Sequence, residues 1–305
     1  MIGGLPGLAA LLAVGFVLSV AAAALLTAHR LRRPPRRTAG WAASRGVPAD
    51  PGEMGTPRSF TPRMLALSRA EVELWEIEGD NAAGPVVIVT PGWGDSKIGV
   101  LPRLDAIAPW ASLVIAWDPP GLGVSPGACG LGVHEPALLN ELCGCYAREA
   151  GIVLYGWSLG GGASVSAGTS AGVHGVIAEA PYRLAPTPAR NVLRAAGLPY
   201  RLNLPIAMAL LGVRLGAGAL WRGFDRAERA RHLRVPLLVL HGTDDAVCPV
   251  ADGEAIAAEA ADGSIVTVPG GGHNDLWSDD GFRPVCADAL RAFGERLTGS
   301  PAVSA

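Results

Sequence analysis

The sequence predicts an α/β fold: a mainly parallel central sheet flanked by helices, carried behind an N-terminal transmembrane helix. Three observations predict it. Short, near-continuous apolar runs recur along the chain, as strands buried on both faces require. Most are followed by a turn and a stretch of helical character, the spacing of strand–helix–strand units. The N-terminus, finally, has no charged side chain from Met1 to Ala28. Half the 305 residues are hydrophobic and only 17% are charged, which excludes a disordered chain. A net charge of −2 offers no general attraction to nucleic acid.

Leu8 to Ala28 reads LAALLAVGFVLSVAAAALLTA. As a helix it spans about 31 Å, close to the hydrocarbon thickness of a bilayer. Arg30, Arg32, Arg33, Arg36 and Arg37 follow it. A secretory signal carries its positive charge before a shorter apolar run, so residues 1–28 read as a retained anchor; a cleaved signal is the alternative. The positive-inside rule then predicts an external N-terminus and a cytoplasmic location for everything after Arg37. Residues 29–60, rich in Arg, Pro and Gly, read as a linker. The domain is expected over 61–298, with a flexible tail at 299–305. Five cysteines are too few for a disulfide scaffold, and the C-x-C at Cys143 and Cys145 is not a zinc spacing.

Residues 71–78 alternate imperfectly, as a half-exposed strand does. Buried strands follow at Val86–Thr90, Ser112–Trp117, Ile152–Tyr155, Val173–Ala178, Leu237–His241 and Ser264–Val268. Helices are expected between them at about 97–110, 133–149, 159–171, 250–261 and 281–297. Between the expected strands at Val173–Ala178 and Leu237–His241 an insertion, about 183–234, reads as a small helical cap. Its apolar run from Ile206 is broken by Arg214 and too short to span a bilayer.

Gly156-Trp157-Ser158-Leu159-Gly160 follows a strand and opens a helix. A serine on such a turn is exposed at the carboxyl end of the sheet, where open α/β folds bind ligands. The helix start beside it favours developing negative charge. A serine hydroxyl needs a base, and the base needs an orienting group. Downstream, one strand ends in Thr243-Asp244-Asp245 and the next in Gly272-His273-Asn274-Asp275, so both emerge at the edge that carries Ser158.

That order of serine, acid and histidine resembles the α/β-hydrolase family over roughly residues 70–298. His241-Gly-Thr-Asp-Asp-Ala-Val-Cys-Pro249 resembles the family's acid loop, and the resemblance puts the acid at Asp245, with Asp244 as its neighbour and alternative. Glu179, at the end of a different strand, is a further alternative. The histidine loop gives His273, while His241 takes the place of a structural histidine. The resemblance implies an oxyanion hole from the backbone amides of Leu159 and Trp93. The chain has Pro91-Gly92 where the family often has His-Gly, which keeps the turn and loses an imidazole. Asp118 to Gly127 resembles a loop that is structural in the family.

The function expected is a serine hydrolase cleaving carboxylic esters through an acyl-enzyme, with acyl or lipid-like substrates favoured by the apolar cap. A peptidase or amidase, an acyltransferase and a non-catalytic binding protein of the same fold are the alternatives. The expected partners are a small ester or acyl substrate and, through the N-terminal helix, a lipid bilayer, with no nucleic acid. The chemistry requires no metal or cofactor.

Overall fold

The computed structural model describes residues 4–299. Met1 to Gly3 of the expected anchor and residues 300–305 of the expected tail lie outside them. The first element, α1, runs Gly4–Arg32. It is long and apolar enough to cross a membrane, and little of its most apolar stretch is buried by the rest of the chain. Its apolar side chains surround it rather than forming one stripe, which suits a lipid-facing helix.

The sheet has eight strands among the described residues, in the order β1-β2-β4-β3-β5-β6-β7-β8. They are β1 (Phe60–Ala66), β2 (Glu71–Glu78), β3 (Val86–Thr90), β4 (Leu113–Trp117), β5 (Ile152–Trp157), β6 (Val173–Glu179), β7 (Leu237–Gly242) and β8 (Gly263–Val268). Only β2 runs against its neighbours, β1 and β4; from β4 onward all pairing is parallel. The edge strand β1 was not expected from the sequence. It carries Pro62 and Arg63 and is mostly exposed, which an edge position tolerates because one row of its backbone groups faces solvent.

Strands β3, β5 and β7 are buried along their whole length. One face of the sheet is covered by a 3₁₀ helix at Lys97–Arg103, α3 (Leu104–Ile107) and α10 (Arg283–Thr298). The other is covered by α4 (Glu135–Tyr146), α5 (Leu159–Ala167), α8 (Arg226–Ala230) and α9 (Val250–Glu259). The helix expected at 97–110 divides in two, its first part tightened around Gly99 and Pro102.

Between β6 and β7 the chain builds a cap from α6 (Pro186–Ala195) and α7 (Asn203–Leu215), after which α8 returns it to the face of the sheet. The cap has a third apolar cluster, in which Leu204, Met208, Leu211 and Leu215 of α7 meet Leu159, Tyr182, Trp221, Phe224 and Cys248. Residues 33–59, although irregular as a linker is, lie on the domain. They include the short helix α2 (Ala39–Ala43). Arg36 donates to the carbonyls of Gly123 and Ser125, Arg37 pairs with Asp95 at 3.0 Å, and Ala42 is buried in the sheet's core.

Candidate active site

Parallel register aligns the carboxyl ends of the central strands: Thr90 pairs with Gly156, Trp157 with Glu179, and Gly242 with Val268. The loops that leave these ends carry Trp93, Ser158, Asp244, Asp245 and His273, while Leu159 opens α5 and Glu179 closes β6.

Ser158 stands alone between β5 and α5 with φ +54° and ψ −114°, a left-handed conformation rare for a residue with a side chain. Its amide donates to the Glu179 carbonyl at 2.8 Å, which fixes the turn to the neighbouring strand. The glycines on either side are required by close approach. A Cβ at Gly160 would strike the carbonyl of Thr90, and one at Gly156 would strike the backbone of Gly160.

His273 lies with Nε2 3.1 Å from the Ser158 Oγ and Nδ1 2.7 Å from Asp245 Oδ2. The other carboxylate oxygen of Asp245 accepts from the amides of Val247 and Cys248 at 2.8 and 2.7 Å. Burial alone would raise the Asp245 pKa. Hydrogen bonds from His241 and His273, the charge of His273 and the Cys248 amide outweigh it and hold the carboxyl well below the usual carboxylate range. His241 is itself buried against the Cys248 carbonyl at 2.9 Å. Asp275 accepts from the Gly272 amide at 2.8 Å and braces the loop that presents His273.

The two alternative acids are elsewhere. Asp244 is exposed and takes a hydrogen bond from the Thr243 hydroxyl. Glu179 accepts from Arg103, Tyr155 and the indole of Trp277 beneath the site. Burial pushes its pKa up, but the Arg103 guanidinium and these hydrogen bonds bring it below the ordinary value. This buried cluster has no sequence signal: its members come from four separate segments.

Leu159 is the first residue of α5, so its amide lacks an intrahelical acceptor. The Gly92 turn approaches Ser158 closely, since a Cβ at Gly92 would lie 3.3 Å from the Ser158 Cβ. Trp93, next along this turn, donates its indole N–H to the Leu31 carbonyl at the end of α1, 2.7 Å away. The Asp118 loop is structural: the carboxylate accepts from the amide and the ammonium of Lys97, both at 2.7 Å.

A cavity of about 650 Å³ opens beside His273 among Arg37, Trp41, Asp95, Trp157 and Trp277. A second, of about 490 Å³, lies in the cap among Tyr200, Leu204, Met208, Trp221 and Phe224. Of the described residues, Asp245, Cys248 and His273 hold donor atoms within 4.8 Å of one another, close enough to suggest a metal. His273 Nδ1 and Asp245 Oδ2 are occupied with each other, and burial pushes the Cys248 thiol well above its usual pKa, which keeps it protonated. The three do not fit a metal site.

Strand order, the single reversed strand, the cap's place and the serine turn together decide the architecture. The chain has the α/β-hydrolase fold. Residues 221–288, which carry Asp245 and His273, match the family described as TAP-like proteins. An esterase of Pyrococcus furiosus has the same fold with a TM-score of 0.66 at 15% identity, covering 88% of this chain and 100% of its own. An α/β hydrolase from a Penicillium species gives 0.60 at 18% identity, covering 79% of this chain and 99% of its own. An esterase from a Rhodococcus species gives 0.53 at 22%, covering 78% and 99%. No curated protein matches the sequence.

Proposed function

We propose that this α/β-hydrolase-fold protein is a serine hydrolase of carboxylic esters, with Ser158 as nucleophile, His273 as base and Asp245 as the group that orients it. The observation that carries the reading is the unbroken hydrogen-bond chain from the Ser158 hydroxyl through both ring nitrogens of His273 to a buried carboxylate. A base that touches both an alcohol and a carboxylate can take the alcohol's proton while its own new charge is stabilised.

In this mechanism Ser158 Oγ attacks the ester carbonyl carbon as His273 Nε2 takes its proton. The tetrahedral oxyanion is stabilised by the amides of Leu159 and Trp93, with the start of α5 adding its dipole. Collapse transfers the proton from His273 to the departing alcohol and leaves an acyl-enzyme. Water, deprotonated by the same imidazole, then attacks the acyl carbon and restores Ser158. The apolar cap cluster beside Leu159 favours acyl or lipid-like substrates. The anchor reading is α1 across a bilayer, with its arginines and the hydrolase domain on the cytoplasmic side.

Ser158→Ala tests the chemistry. It should lose about 10³- to 10⁶-fold in turnover on a short acyl ester and should no longer react with a fluorophosphonate probe that labels the unaltered chain. Full esterase activity in that variant would overturn the proposal.

A further inference from the structure

We propose that the outer face of the cap is a second membrane contact, seated on the anionic headgroup layer of the same bilayer that α1 crosses. The inference rests on the reading of α1 as a membrane span.

Three independent observations carry it. The first is position. The apolar run of α1 ends at Ala28, so residues 27–31 lie where hydrocarbon gives way to headgroups. At that level α1 is fastened to the cap: Asn203, the first residue of α7, donates to the Thr27 hydroxyl at 3.0 Å, and Ala28 and Leu31 pack on the cap's apolar cluster. The Trp93 indole caps the Leu31 carbonyl from the catalytic loop. The cap is therefore held at the membrane surface by the anchor itself.

The second is the shape of α7. Its inner stripe, Leu204, Met208, Leu211 and Leu215, is buried. A second stripe at helical spacing on the opposite side, Leu202, Ile206, Leu210 and Val213, is 58, 43, 46 and 65% exposed. Leu198 and Leu220 extend it at 53 and 75%. An exposed apolar face of this continuity marks an interaction surface, and an apolar stripe edged by arginine suits a helix lying in a membrane interface.

The third is charge. Residues 183–224 contain six arginines and no acidic residue. Arg190, Arg194, Arg201, Arg214 and Arg222 are exposed and make no ion pair among the described residues; Arg183 pairs with Asp225. With these six and the five arginines of residues 29–37 set aside, the rest of the chain has 14 basic against 27 acidic side chains, a net of −13. The positive charge of the protein is thus gathered where the span ends and on the cap beside it. Anionic lipid attracts such clusters within a Debye length of the surface.

The test uses the full chain in vesicles of phosphatidylcholine and phosphatidylglycerol. Cys145, the one exposed cysteine among the described residues, is replaced by serine. A bimane fluorophore is then attached through Leu12→Cys in the span, Leu210→Cys on the outer face of α7, or Thr61→Cys on the edge strand. Lipid with a spin label on its acyl chain should quench the fluorophores at 12 and 210 and leave that at 61 bright. Combined Arg194→Glu, Arg201→Glu and Arg214→Glu substitutions should restore most of the fluorescence at 210, with quenching at 12 and hydrolysis of a soluble short ester unchanged.

Quenching at 12 with full brightness at 210 would overturn the proposal. Brightness at both would overturn it together with the membrane span. Shielding at 210 that appears in detergent and grows with protein concentration would assign the face to a second copy of the chain and equally overturn it. Quenching at 210 in a preparation that hydrolyses no ester would uphold the docking and defeat the hydrolase reading, so the two fail separately.

Discussion

Asp245 uses its two carboxylate oxygens for different work. One takes two backbone amides, and the other faces His273. In Asp245→Asn the amide-accepting position keeps the carbonyl oxygen, so the new NH₂ group must face His273 Nδ1. That forces the ring proton onto Nε2, where it confronts the Ser158 hydroxyl and cannot accept from it. Turnover on a short ester should fall by about 10³- to 10⁴-fold, while far-UV circular dichroism remains unchanged. The same contacts set a pH dependence of stability. A carboxyl whose folded pKa lies below the unfolded value of about 3.9 contributes stability above that value and loses it as pH falls through the folded pKa. Denaturant melts should therefore find Asp245→Asn less stable than the unaltered chain at pH 7, with the gap narrowing below about pH 4.

At the scale of the element, the serine turn and its supports explain which parts of the molecule were legible in sequence. The turn between β5 and α5 was, because Gly156, Ser158 and Gly160 each answer a local steric demand that leaves its residue type in the chain. Gly160→Ala should cost about 3 kcal/mol or more in urea unfolding, since the Thr90 carbonyl cannot yield without moving β3. Gly144, exposed inside α4 with open space where its Cβ would go, is the contrast. Gly144→Ala should gain up to about 1 kcal/mol. Edge strand β1 was not legible, because a strand with one exposed row has no need of an apolar run. Nor was the pairing of Arg103 with Glu179, which depends on where two distant segments meet; sequence offered Glu179 only as a rival acid. Burial of both partners makes that pair sensitive to losing one of them. Glu179→Gln leaves the Arg103 guanidinium uncompensated and should destabilise the fold by about 3–5 kcal/mol by denaturant melt.

For the whole molecule the consequential contacts lie between the domain and what precedes it. Composition marked residues 29–60 as a connector, but their arginines and Trp41 work as side chains of the hydrolase fold. Arg37 pairs with Asp95, Asp95 in turn accepts from the Trp157 indole at 3.2 Å, and Trp41 and Met54 pack on the sheet's core. Burial raises the Asp95 pKa, and Arg37 is the strongest influence opposing it. A chain truncated to begin at Arg58, which keeps the pair of Arg58 with Asp80, would leave that carboxylate buried without its cation and would uncover the core beneath Ala42. With a loss of about 2–3 kcal/mol, a domain of this size should melt roughly 4–12 °C lower than one beginning at Arg33. The sign of the pH effect separates this cause from simple loss of packing. With its folded pKa above the unfolded value, Asp95 binds more protons in the folded state, so its contribution to stability falls as pH rises between those two values. Removal of Arg37 widens that window upward. The melting difference between the two truncations should therefore be larger at pH 7 than near pH 4, as differential scanning calorimetry at the two pH values would record. A difference independent of pH would assign the loss to Trp41, Ala42 and Met54 alone.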